Sequence, residues 1–164
     1  MSKVCCFTGH RPSKLKGYKT EDNKDLLWEI YKVIEDHINN KEVRTFISGM
    51  ALGVDIWAAR MVFKAKRDYP ELGIKLVCAI PCKNHSSKWN EQDKKIWQRV
   101  VEAADEVVYV SEEEYKPYLM QKRNEWMCDR SDYVIAVYDG SGGGTGNCVE
   151  YAQKKNKEIV IIKP

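Results

Sequence analysis

The densest run of chemically unusual residues is DGSGGGTG at 139–146, which follows the apolar run YVIAVY and precedes a stretch of helical spacing. Its glycines, Gly140, Gly142, Gly143, Gly144 and Gly146, leave backbone N–H groups unscreened by side chains and admit positive φ. A helix starting directly behind such a loop adds partial positive charge, which suits a phosphate or another anion. Thr145 contributes a hydroxyl donor. The anion-binding reading therefore takes in Asp139, Gly142, Gly143, Gly144 and Thr145. The order is not that of a P-loop, because no Gly-Lys-Ser/Thr closes it, and no G-x-G-x-x-G opens the chain. The competing reading is a glycine-rich turn without a ligand, and the strand–loop–helix order favours the anion.

Three further segments carry polar groups at strand-to-helix turns. Thr8, Gly9, His10 and Arg11 come straight after the first apolar run and offer two donors at the sheet edge. Arg11, Lys14, Lys16 and Lys19 form a basic stretch without an intervening acid, attractive to phosphate. For the three lysines the preferred reading is a solvated loop. In SGMALGVD at 48–55, Gly49 and Gly53 allow close backbone approach to a ligand, and Ser48 or Asp55 can bond a hydroxyl or cap a helix. In MQKRN at 120–124, a helix before YVIAVY can aim Arg123 at the glycine loop. Glu150 lies in the first turns of the helix behind that loop. His85 and Trp89, in PCKNHSSKW, can line a pocket on the same sheet edge, with core packing the preferred alternative.

These turns need elements to position them. Short, mostly continuous apolar runs at 4–8, 43–48, 74–80, 106–110, 133–138 and 159–162 read as strands covered on both faces. Between them, residues 22–40, 51–67, 90–104, 116–130 and 145–155 show helical periodicity; the first places Leu27, Ile30, Ile34 and Ile38 on one face. Such alternation specifies an α/β fold, a single Rossmann-like three-layer sandwich with a mostly parallel sheet over residues 1–164. Ligands of such sheets bind beyond the carboxyl ends of the strands, where all the turns above belong.

Composition bounds the rest. Of 164 residues, 27 are Lys or Arg and 24 Asp or Glu, a net charge of +3 that leaves no strong basic footprint for nucleic acid. Hydrophobic residues at 43% and charged residues at 31% exclude collagen-like, disordered and polyelectrolyte chains. No apolar run approaches the roughly 20 residues of a membrane span. The opening MSKVCCFTGHRP turns polar after about five apolar residues, unlike a signal peptide, so the expected location is cytoplasmic. The six cysteines follow no paired framework and read as small buried hydrophobes, without a metal site. No cofactor is expected, and homo-oligomerisation is left open.

FTGHRP at 7–12, SGMALGVDIWAA at 48–59, MQKRN at 120–124 and SDYVIAVYDGSGGGTGNCVEYA at 131–152 together resemble the SLOG superfamily, named for the DNA-processing protein A (Smf) and Lonely Guy families. The likeness is closest to its YpsA-like branch. It implies a Rossmann-like fold that binds a nucleotide or a nucleotide-derived ligand such as NAD or ADP-ribose, as a sensor. A second implication is a Lonely Guy-like phosphoribohydrolase acting on nucleoside 5′-monophosphates, with Arg123 and Glu150 catalytic. Met-Gln-Lys-Arg-Asn matches the Met-x-x-Arg-Lys motif of those enzymes except for Asn124. Gly142 to Glu150 keeps the glycines, Thr and Glu of their Pro-Gly-Gly-x-Gly-Thr-x-x-Glu motif, but lacks the Pro and puts the Glu two residues later. On a helix that shift turns the carboxylate by roughly 200°. The third implication is single-stranded DNA binding, through the Ser-Gly-x-Ala-x-Gly-x-Asp stretch and the Arg-Asn pair shared with DNA-processing relatives.

Overall fold

The computed structural model describes residues 2–164. Six strands form one sheet: β1 (Lys3–Gly9), β2 (Val43–Ser48), β3 (Lys75–Ile80), β4 (Glu106–Tyr109), β5 (Tyr133–Val137) and β6 (Glu158–Ile162). Five helices alternate with them: α1 (Lys24–Asn40), α2 (Val54–Asp68), α3 (Glu91–Ala103), α4 (Pro117–Asp129) and α5 (Gly144–Lys154). The sheet order is β4-β3-β2-β1-β5-β6, and every adjacent pair is parallel. The expected mostly parallel sheet is thus parallel throughout.

Both faces of the sheet are covered, which is why its strands read as continuous apolar runs. Adjacent residues of β1 point to opposite sides. Cys5 and Phe7 join Ile30, Ile34 and Ile38 of α1, Val62 of α2 and Val100 of α3. Cys6 joins Met127 and Cys128 of α4 with Cys148 and Ala152 of α5. Phe7 and Phe46 stack across β1 and β2 at 5.7 Å between ring centroids. Each fully buried Ile or Phe contributes about 1.5–3 kcal/mol through the apolar area it withdraws from water. All six cysteines are buried and free. Among the described residues, no helix is long and apolar enough to cross a membrane.

The helix expected from residue 51 starts instead at Val54. Met50 and Gly53 take left-handed φ of 62° and 91°, so residues 49–53 form a loop rather than a first turn. The Val54 N–H then donates to the His10 carbonyl at 3.4 Å, tying this loop to the turn after β1.

The chain winds outward from β1 to β4 and then returns to lay β5 along the other side of β1. The turn after β1 leads to α1 on one face, while the turn after β5 leads to α5 on the other. Divergent connections of this kind open a crevice at the carboxyl ends of the two strands. Gly9 pairs with Val137, so His10 and Asp139 emerge almost side by side.

Candidate functional site

A cleft of about 310 Å³ occupies that crevice. Thr8, Gly9, His10 and Arg11 from the turn after β1 line it, with Gly142, Gly144 and Thr145 from the glycine loop. Asp55 of α2 and Arg123 of α4 close its floor, both 5% exposed. The turns after β1, β2 and β5 therefore share one end of the sheet, as expected from their positions in sequence.

The glycine loop is open. A Cβ built on Gly142 or Gly144 would meet nothing within 4 Å, and one on Gly143 only Lys14 Nζ at 4.0 Å. The first hydrogen bond of α5 runs from Asn147 N–H to the Gly143 carbonyl at 2.9 Å. The N–H groups of Gly144, Thr145 and Gly146 thus precede the helical ladder and can meet an acceptor. Asp139 fixes the loop's entrance by accepting from Ser141 N–H at 2.9 Å and Ser141 Oγ at 2.6 Å. Those two bonds hold its carboxyl down to about 2, with His10 adding to them. His10, 4% exposed, places Nε2 3.0 Å from the Asp139 amide nitrogen and 2.9 Å from its Oδ1. Unprotonated, Nε2 accepts the amide; protonated, it donates to the carboxylate. Either way it joins the two turns.

Lys14, solvent-exposed as expected, also reaches the loop. Its Nζ donates to Ser141 Oγ at 2.9 Å and to the Gly142 carbonyl at 3.2 Å. The sequence signal was present in the acid-free run of bases, but which lysine reaches the loop depends on the short helical turn Pro12–Lys14. The cleft is consequently lined by the cations of Arg11, Lys14 and Arg123 against one carboxylate, Asp55.

Arg123 is held by its neighbours. Nε donates to Asn124 Oδ1 at 2.9 Å, and Nη1 donates to the Gly49 carbonyl. Burial lowers the proton affinity of its guanidinium, while nearby Asp55 raises it. Asp55 Oδ2 accepts from Ala51 N–H at 3.3 Å, but the buried Oδ1 has no partner. Burial raises the Asp55 pKa above the usual carboxylate range, with Arg123 pulling against it. A buried carboxylate oxygen without a protein partner is costly, and a ligand hydroxyl would satisfy it.

Not every residue singled out in the sequence reaches the cleft. Ser48 is fully buried, donating to the Asp55 carbonyl at 2.7 Å and accepting from Met50 N–H at 3.2 Å. Gly49 and Gly53 stand behind the cleft wall: Gly49 makes room for Arg123, and Gly53 packs against the His10 carbonyl and Pro12. Glu150 is exposed on α5 and lies 3.4 Å from Lys154, its oppositely charged neighbour one turn on. Three residues after Thr145, where the Lonely Guy motif has its Glu, stands Cys148, fully buried beneath the sheet. The two-residue displacement turns Glu150 to the exposed side of α5, and it is not among the residues that line the cleft.

The combination defines an α/β protein of the Rossmann-like, SLOG type with its cleft at the strand switch point. A family model described as the YspA SLOG family matches residues 5–163, and the chain belongs to that family. It is similar to the uncharacterized SPbeta prophage-derived protein YoqJ of Bacillus subtilis (strain 168), 38% identical over 137 residues covering 77% of this chain and 79% of the relative. A UPF0398 protein of Bacillus thuringiensis (strain Al Hakam) is 29% identical over 164 residues, covering 96% of this chain and 85% of the relative. Among solved structures, DNA processing protein A from Streptococcus pneumoniae shares the fold with a TM-score of 0.68 at 17% identity, over 99% of this chain and 51% of that one. DNA processing protein A from Helicobacter pylori, whose structure concerns single-stranded DNA binding, gives 0.64 at 18% identity over 99% and 66%. The chain thus spans about half to two thirds of those proteins.

Proposed function

We propose that the cleft binds the phosphate of a nucleotide or nucleotide-derived ligand, of the NAD or ADP-ribose kind, and that the protein acts as a ligand-binding module. The observation that carries this reading is the open amide run at the start of α5, beside Lys14 and Arg123 and opposite the unpartnered oxygen of Asp55. Amides and cations suit the phosphate, and a buried carboxylate acceptor suits a ribose hydroxyl. Calorimetric titration with AMP, NAD and ADP-ribose tests it. Gly144→Asp is the control, because its Cβ meets no atom within 4 Å and an acid at a helix N-terminus does not harm folding. Binding of at least one ligand, lost in Gly144→Asp, supports the reading; no binding by the wild type overturns it.

Hydrolysis of the N-glycosidic bond has less support, since Glu150 lies outside the cleft and Asp55 is the sole carboxylate among its lining residues. Single-stranded DNA is a second reading, favoured by the fold shared with DNA processing protein A. It predicts salt-sensitive retention of an oligonucleotide.

A further inference from the structure

A second cavity, about 350 Å³, adjoins the cleft and shares Arg11, Ala51 and Met120 with it. Its remaining walls differ in kind. His85, Trp89 and Tyr115 bring aromatic rings, Glu114 brings a carboxylate and Lys88 an ammonium. Two loops are joined to make these walls. Lys83 N–H donates to the Glu113 carbonyl at 2.9 Å, and Tyr115 N–H donates to Asn84 Oδ1 at 2.7 Å. His85 stands edge-on to Trp89 at 5.1 Å between centroids. Tyr115 leaves 53% of its surface exposed.

We infer that this second cavity is the nucleobase subsite of the cleft: a planar heterocycle stacks on Trp89 and Tyr115, linked past Arg11 and Met120 to the phosphate at the glycine loop. This inference rests on the phosphate reading above. A nucleotide has two chemically unlike ends, a dianion and a flat, largely apolar ring, and the two adjoining cavities divide along the same line. One offers amides and cations; the other offers aromatic surface, which every base can stack on. Glu114 is a ready acceptor for an exocyclic amino group. Burial, with repulsion from Arg123 and Arg11, holds the His85 imidazole down to about 3, so the ring is neutral and adds no charge of its own. Its buried Nδ1 has no partner in the protein.

The test compares AMP with ribose 5-phosphate, which shares every group except the base, by calorimetry on the wild type, Tyr115→Ala and Trp89→Leu. AMP is expected to bind about 5- to 150-fold more tightly than ribose 5-phosphate, the range that one stacked base supplies. Each ring substitution should erase most of that preference without changing the affinity for ribose 5-phosphate. Tyr115→Ala guards against misfolding, because the side chain is half exposed. Equal affinity for the two ligands, or an AMP affinity unmoved by both substitutions, overturns the base subsite and leaves the phosphate site standing. Failure of the wild type to bind either ligand overturns the base subsite, and overturns the phosphate site as well when NAD and ADP-ribose also fail to bind.

Discussion

The guanidinium of Arg123 lies flat against Gly49: a Cβ at residue 49 would stand 2.6 Å from Nη1 and 2.7 Å from Cζ, and Nη1 donates to the Gly49 carbonyl. Arg123 comes from α4 and Gly49 from the turn after β2, so this contact locks the floor of the cleft across the sheet. The missing side chain at residue 49 is what admits the guanidinium.

Gly49→Ala is expected to displace Arg123 and to destabilise the fold by about 1–3 kcal/mol, the cost of inserting a methyl group into a packed site. Denaturant unfolding measures it. The paired comparison is Gly142→Ala, whose Cβ meets no atom within 4 Å and whose effect should stay within about 0.5 kcal/mol. If the two substitutions cost the same, Gly49 is not reserved for Arg123.

Lys14→Ala separates binding from stability. The ammonium crosses from the turn after β1 to the glycine loop, bonding Ser141 Oγ and the Gly142 carbonyl. Both bonds are solvent-exposed, so the folded state should lose no more than about 0.5 kcal/mol. Affinity for AMP should fall about 10-fold, as expected from removing one charge-assisted bond, and should become less sensitive to salt. Unchanged affinity in calorimetry would show that the phosphate does not sit beside Lys14.

The layout was legible in the sequence because each strand is covered on both faces and each amphipathic helix covers one. The apolar runs marked all six strands to within a residue or so, and parallel pairing put every strand-to-helix turn at one end. What the sequence could not convey was side-chain direction inside the turns. Ser48 and Gly53 carry the same residue types whether they touch a ligand or brace a neighbouring loop, and here they brace. Lys14 and Lys16 are the same residue type, but only the former lies at the end of the turn that faces the glycine loop. His85 and Trp89 depended on the loop 81–90 joining the segment after β4, a long-range pairing without a local signature.

Asp55 and Asp139 are expected to give opposite pH signatures. Asp139 has its pKa depressed, so its contribution is fully present above the usual carboxylate range and is lost as pH falls towards about 2. Asp55 has its pKa raised by burial, so the native state holds its proton more tightly than the unfolded chain. Stability from that group therefore declines as pH rises out of the usual carboxylate range. Asp139→Asn should flatten the acid limb of a stability-against-pH curve, and Asp55→Asn should flatten the decline above it. Ligand affinity should fall in Asp55→Asn if Oδ1 accepts a ribose hydroxyl. Thermal unfolding across pH, read with AMP present and absent, checks both halves. An Asp55→Asn curve parallel to the wild type would mean that the carboxyl titrates as it does in the unfolded chain.

Glu150→Ala tests the boundary between a binding module and a hydrolase. The side chain projects from the exposed face of α5 beside Lys154, and surface pairs of this type contribute little, about 0–1 kcal/mol. A carboxylate can stabilise developing oxocarbenium charge only when it stands against the sugar. From outside the cleft Glu150 cannot do so. Glu150→Ala should therefore leave AMP binding unchanged, and any release of free base from AMP should proceed at the wild-type rate. Asp55→Asn should abolish such release, because it removes the cleft's one carboxylate. Chromatography of the reaction mixture reads both variants. Loss of activity in Glu150→Ala, with Asp55→Asn still active, would require α5 to turn by about half a revolution relative to the arrangement found here, and would move the catalytic site to its other face.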